Sequence, residues 1–132
     1  MIEERIARSF AGHVFMTALG ASPSCAHSGR CRVDMARTPA VGQQDGFVHG
    51  GSLAAIADSG AGYAALSIMA ERARVLTVED KVNVLRAADG DTLMATGRVV
   101  NSGRTLHVVE ASVACQGREC RRPQGTMIAL SG

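Results

Sequence analysis

The sequence predicts an α+β fold in which a curved antiparallel sheet of about six strands wraps one long apolar helix. Three observations predict it. From about Gly50 to Glu71 the chain is apolar at almost every position (GGSLAAIADSGAGYAALSIMAE), and a helix without a polar face has to be surrounded. Four extended stretches then follow with only turn residues between them, and consecutive strands joined by short turns favour an antiparallel sheet. A hairpin ahead of the helix brings the strands to six.

Taken in order, Ile2, Ile6, Phe10, Val14 and Phe15 recur at helical spacing, with Glu3, Glu4, Arg5 and Arg8 between them. This is an amphipathic N-terminal helix, ended by Gly20 and Ser22-Pro23. Residues 25–38 read as the hairpin, turning at His27-Ser28-Gly29-Arg30 with Cys31, Val33 and Met35 in alternation. Residues 38–48 (TPAVGQQDGFV) are loop-like, and the long helix follows. The later strands are expected over 75–85, 92–100, 105–115 and 125–130. Ala-Asp-Gly-Asp, Asn-Ser-Gly-Arg and Gln-Gly-Arg-Glu supply the turns between them. With 132 residues and no internal repeat, 1–132 reads as a single domain.

Composition narrows the function. Hydrophobic residues at 46% and charged residues at 20% fit a soluble globular chain. A net charge of +2 is too small for a nucleic-acid binder, and no Trp, one Tyr and three Phe leave few stacking platforms for single strands. The N-terminus, with Glu3 and Glu4 and no long apolar run, does not read as a secretory signal. The stretch from Leu53 to Ala70 approaches membrane-spanning length, but Asp58 interrupts it and glycines lie within it, so it reads as a core helix. Cys25, Cys31, Cys115 and Cys120 match no common zinc spacing. With His27 between the first pair a metal site stays conceivable, but a reduced, cytoplasmic chain without metal or cofactor is the simpler reading.

The question the sequence poses is Asp58, a lone carboxylate inside that apolar helix. Burying an ionised group is costly unless it is paired or used. Burial raises its pKa and makes it a better base than a surface Asp, although a structural Asp capped by nearby hydroxyls is the alternative. At the N-terminus of the same helix, Gly50 and Gly51 leave backbone N–H groups open to a ligand. Those donors and the positive helix dipole suit a carbonyl that gains negative charge, with His49 holding the loop; Gly-Gly also serves simply as a tight turn into a helix. Gly50 and Asp58 are eight residues apart, about 12 Å along the axis. Attack on a carbonyl needs reacting atoms about 3–3.5 Å apart. One helix therefore cannot supply both groups to one substrate, but a second copy lying antiparallel can. The spacing predicts a homodimer with two shared sites.

Gln43, Gly46, His49, Gly50, Gly51 and Asp58 form Q-x-x-G-x-x-H-G-G with an Asp nine residues after the His. Together with VLTVEDKVNVLRAADGDTLMATGRVVNSGRTLHVVEASV, this pattern resembles the hotdog-fold acyl-CoA thioesterases of the phenylacetate-degradation (PaaI-like) type. The resemblance runs from the N-terminal helix to Leu130. It implies that Asp58 is the catalytic carboxylate, as general base or nucleophile, and that the Gly50 N–H polarises the thioester carbonyl. It also implies that Gln43 orients the carbonyl or water, that Thr77 positions the water and that His49 supports the loop. CoA would lie along the dimer interface by Gly51, with Arg104 a phosphate contact and Arg86 a weaker one. A dimer-of-dimers tetramer is the further expectation.

Three positions depart from the pattern: Asp80 where an apolar residue is more usual, Ala87 in place of a frequent Pro, and Asp45 before the glycine. Asp80 reads as an exposed strand residue; facing the acyl pocket, it would imply a polar substrate or an altered site. Arg118, Arg121 and Arg122 near Pro123 read as a solvated basic hairpin. The leading expectation is an acyl-CoA thioesterase without metal or cofactor. A non-catalytic acyl-CoA-binding protein and a hotdog hydratase or dehydratase, pairing His49 with Asp58 across the dimer, are the alternatives.

Overall fold

The computed structural model describes residues 1–131. Helix α1 (Ile2–Ala11) buries Ile6 and Phe10 as its periodicity requires. The expected continuation through Phe15 does not occur. The chain breaks at Gly12-His13, and a separate short helix α2 (Val14–Ala18) begins with His13 as its N-cap. Glycine is a poor helix former and a capping side chain starts a new helix. Val14 and Phe15 consequently point outward, and Met16 takes the buried position.

Strands β1 (Ala21–His27) and β2 (Arg30–Ala36) form the first hairpin. β1 starts earlier than expected and contains Pro23; an edge strand tolerates a residue with no N–H to donate. A 3-10 turn (Pro39–Val41) leads to α3 (Gly50–Leu66), which stops short of Glu71. The remaining strands are β3 (Arg74–Val84), β4 (Thr92–Ser102), β5 (Leu106–Cys115) and β6 (Arg118–Leu130). All pair antiparallel in one sheet, in the order β1-β2-β4-β5-β6-β3.

β6 is twice its expected length. Gln116 and Gly117 both have positive φ (51° and 73°), the geometry of a two-residue turn that follows strand twist, and it pairs Cys115 directly with Arg118. Residues 118–124 are thus strand rather than exposed hairpin tip.

α3 lies on one face of the sheet, packed against β2, β4 and β5. Leu53 and Ile56 meet Val33, Met35, Leu93, Ala95 and Val113 in a core closed to solvent. The approach is backbone to backbone at one point: a Cβ on Gly97 would overlap Gly60 and the amide of Ala61, so only glycine lets the helix seat there. At the far end of α3, the Arg5 guanidinium donates to the carbonyls of Leu66, Met69 and Ala70 at 3.0, 3.1 and 2.7 Å. Leu66 is the last helical residue and Met69 and Ala70 belong to the turn that follows it, so the guanidinium ties that turn to the helix end, where a cation also suits the dipole.

The two sheet edges differ. β1 carries Pro23 and a bulge and is packed by α1 and α2. β3 is eleven residues long and pairs only with β6, and it exposes Leu76, Val78 and Val84 (57, 55 and 66% accessible). The cysteines are free thiols: Cys31, Cys115 and Cys120 are buried, and exposed Cys25 has its Sγ 3.0 Å from His27 Nε2. Among the described residues no cluster of three His, Cys, Asp or Glu converges as a metal site, and no helix is long and apolar enough to cross a membrane.

Candidate active site

The loop into α3 is fixed before the helix begins. His49 N–H donates to the Val41 carbonyl at 2.8 Å and Val48 N–H to that of Ala88 at 3.2 Å. Gln43 shapes the loop from within: its Oε1 accepts the N–H groups of Asp45 and Phe47, which leaves the Nε2 amide as its remaining donor. His49 is the N-cap of α3, its Nδ1 accepting the Gly51 N–H at 2.8 Å. A side chain at residue 51 would collide with that imidazole, which accounts for the second glycine. The Gly51 donor is therefore occupied. The Gly50 N–H has no acceptor among the described residues and is the open donor of the first turn.

Asp58 lies two turns further along α3, half-buried. Thr77 Oγ1 on β3 donates to its Oδ1 at 2.7 Å. Burial holds the Asp58 carboxyl above the usual carboxylate range; the Thr77 hydrogen bond pulls it back, and the Asp80 carboxylate pushes it up again. Asp80 is exposed, as expected, and it also adjoins Asp58. The two line a small crevice with Ala57, Ala61 and Gly125, and a Cβ on Gly125 would stand 2.9 Å from Asp80 Cβ. The reason is a bulge in β3 between Thr77 and Glu79. Residues three apart face opposite ways in a regular strand; the extra residue turns both Thr77 and Asp80 toward the helix.

On its other side Asp58 borders a cleft of about 310 Å³ whose walls include Ser9, His13, Tyr63, Leu66, Thr77 and Met127. His13 and Tyr63 went unrecognised in the sequence. His13 is brought there by the break between α1 and α2, and Tyr63 by its place five residues past Asp58 on α3; Tyr63 Oη lies 3.2 Å from Ser9 Oγ.

The expected residues therefore fall into separate groups within one chain. Gln43, His49, Gly50 and Gly51 stand at the N-terminus of α3, with Arg86 nearby, its Nε donating to the Glu119 carbonyl at 2.9 Å. Asp58 and Thr77 sit about 12 Å along the axis. Arg104 is at the opposite end of the helix, in a groove with Ile68, Met69 and Arg72. One residue of the Gly50 group was misread. Arg121, expected to be solvated with Arg118 and Arg122, is only 8% exposed. It faces the helix with Pro123, Gly125 and Met127, alternate residues of β6 and all buried.

The thioesterase superfamily profile matches residues 45–120 of the chain. A thioesterase family protein from Silicibacter pomeroyi is 38% identical, each chain covering all of the other, and its crystal structure superposes with a TM-score of 0.94. A Halobacterium salinarum protein named for an inferred esterase activity is 35% identical over 106 residues, which is 76% of this chain and 70% of that protein. The PaaI protein of the Escherichia coli phenylacetic acid degradation operon shares the architecture, with a TM-score of 0.91 at 22% identity over 99% of this chain and 94% of that one. The sheet wrapped on its central helix is thus the hotdog fold in its PaaI-like form, and the chain belongs to the thioesterase superfamily.

Proposed function

We propose that the protein hydrolyses acyl-CoA thioesters as a homodimer, with Asp58 of one subunit acting on a carbonyl held at the Gly50 N–H of the other. The observation that carries this is the separation of an open donor and a perturbed carboxylate by about 12 Å on a single helix. Neither group serves the other within one chain. The bare β3 edge, which exposes Leu76, Val78 and Val84 among polar residues and adjoins Asp58 through Thr77, is the surface that supports a dimer. An unpaired edge of this length is a liability in a monomer. Pairing of β3 with its two-fold mate continues the sheet and lays the α3 helices antiparallel.

In this arrangement the thioester oxygen accepts from the Gly50 N–H, and the acyl group extends into the cleft beside Asp58 of the partner subunit. Asp58, ionised, takes a proton from water as the water oxygen bonds to the carbonyl carbon and the π pair moves onto oxygen. The tetrahedral species collapses, the C–S bond breaks, and sulfur leaves with the proton returned by Asp58, giving a free acid and CoA thiol. Thr77 orients the carboxylate, and the Gln43 amide nitrogen is the donor available to orient substrate or water. Arg86 of the first subunit and Arg104 of the partner subunit flank the path of the CoA phosphates, because antiparallel helices bring opposite ends together.

The test is release of free thiol from short, medium and aromatic acyl-CoAs. Asp58→Asn should lower turnover about a hundredfold or more while binding of a CoA analogue persists. Turnover near wild type in that variant removes Asp58 from the role. Saturable binding by the wild type without thiol release would favour a binding protein instead.

A further inference from the structure

A second charge is largely buried in this molecule, and no carboxylate among the described residues pairs with it. Among the described residues ion pairs join Arg32 to Asp34, Arg37 to Asp89, Arg98 to Glu110 and Arg122 to Glu119, and Arg121 belongs to none of them. Its Nη1 donates to the carbonyls of Arg86 (2.5 Å) and Cys120 (2.9 Å). Its Nη2 donates to nothing among the described residues, opens to the surface, and lies 3.8 Å from the point a Cβ on Gly50 would occupy. A buried guanidinium without a counter-charge is costly. Here it also stands at the positive end of a seventeen-residue helix, where cations are disfavoured. Two donors without an acceptor among the described residues, the Gly50 N–H and Arg121 Nη2, therefore stand side by side at this end of α3.

We propose that Arg121 is a catalytic residue that, with the Gly50 N–H, forms a two-donor cradle for a single oxygen that is or becomes anionic. On the hydrolase reading above, on which the role in turnover rests, this is the thioester oxygen during attack and then the carboxylate product. The donor count sets the ligand class. Gly51 N–H is taken by His49 Nδ1, and the Ser52 N–H bonds the His49 carbonyl at 3.0 Å. Phosphate at a helix N-terminus uses several free N–H groups; this one offers a single N–H and a cation, which fits a carbonyl oxygen or one carboxylate. The residue type follows as well. Two carbonyls clamp Nη1 and fix the guanidinium plane, so Nη2 is presented without reorganisation. Lysine has no second nitrogen to present.

The experiment has an arm that needs no turnover. Acetate is titrated into isotopically labelled wild-type protein at constant ionic strength, with chloride as control. The Gly50 amide and Arg121 side-chain resonances should shift together and saturate with acetate but not with chloride. Arg121→Lys and Arg121→Gln are then assayed with the acyl-CoA panel; kcat should fall by about a hundredfold, the order expected for one lost oxyanion donor, with KM little changed. If acetate leaves Arg121 unmoved and the Lys variant keeps wild-type kcat, the cradle is overturned and hydrolysis stands. If acetate moves both resonances while the wild type releases no thiol, the cradle stands and hydrolysis falls. Should the variants fail to fold, the acetate titration of the wild type decides.

Discussion

The two ends of α3 each meet an arginine, and the arginines behave differently. At the C-terminus Arg5 has acceptors for its donors: the carbonyl of Leu66, the last helical residue, and those of Met69 and Ala70 in the turn beyond it take them, and the dipole favours the cation. At the N-terminus Arg121 stands against the dipole, its stem buried and one nitrogen open at the surface, beside a Gly50 N–H that likewise has no acceptor among the described residues. The first arrangement closes a helix. The second leaves a helix open at its electropositive end, which makes sense where an oxygen bearing charge comes and goes. The same residue type is thus a cap at one end and half of a receptor at the other.

The sharpest way to break this contrast is to remove the backbone donor. Gly50→Pro deletes the N–H at the first helical position, where proline is well tolerated. His49, at φ −63° and ψ 131°, already has the conformation a residue before proline adopts. Thioester turnover should fall about 10²–10³-fold, with the melting temperature close to wild type. A large loss of stability with kcat per folded molecule unchanged would make the N-terminus structural after all. The converse experiment is Arg5→Met. It takes the side-chain donor from the Met69 carbonyl, while those of Leu66 and Ala70 keep the N–H groups of Met69 and Ala73, and should cost about 1 kcal/mol of stability, leaving kcat per folded molecule as it was. A loss of turnover without loss of stability would contradict the assignment of this end.

Smaller effects locate Asp58 between the two ends. Its carboxyl is raised chiefly by burial, lowered by the Thr77 hydroxyl and raised again by Asp80. A base works ionised, so turnover declines as pH falls through that raised pKa. Asp80→Asn removes a like charge and should move the acid limb of the kcat/KM profile to lower pH. Thr77→Val removes the hydrogen bond that favours the ionised form and should move it to higher pH. Shifts in the same direction would mean the limb reports another group. The linked stability has the opposite sense from a salt-bridged Asp. With the folded pKa raised, the contribution of Asp58 to stability is full at low pH and lost as pH rises through that pKa. Asp58→Asn should therefore melt higher than wild type at neutral pH.

Much of this was legible before any coordinates. An apolar run can be long and helical only if something surrounds it, and the turn residues at 88–91 and 101–104 bracket β4 unambiguously. Gly50 and Asp58 stood out because each breaks a rule of its context. What stayed hidden depended on single-residue register. The turn at Gln116-Gly117 is two residues long, and that length decides that Arg121 faces inward with Met127 while Arg122 faces out; three nearby arginines look alike without it. Asp80 was hidden by the bulge at Val78, since alternation alone sets it opposite Thr77. His13 was hidden because an unbroken periodicity from Ile2 to Phe15 masks the break that brings His13 to the cleft.

Most directly at stake is whether one functional unit draws on two chains, and subunit complementation measures it. Asp58→Asn and Gly50→Pro subunits carrying different affinity tags are assembled together, and molecules holding both tags are isolated. Each such dimer has one site with both groups intact and one with neither, so it should turn over thioester at about half the wild-type rate although both parent homodimers are nearly inactive. Doubly tagged dimers no more active than their parents would contradict the shared site.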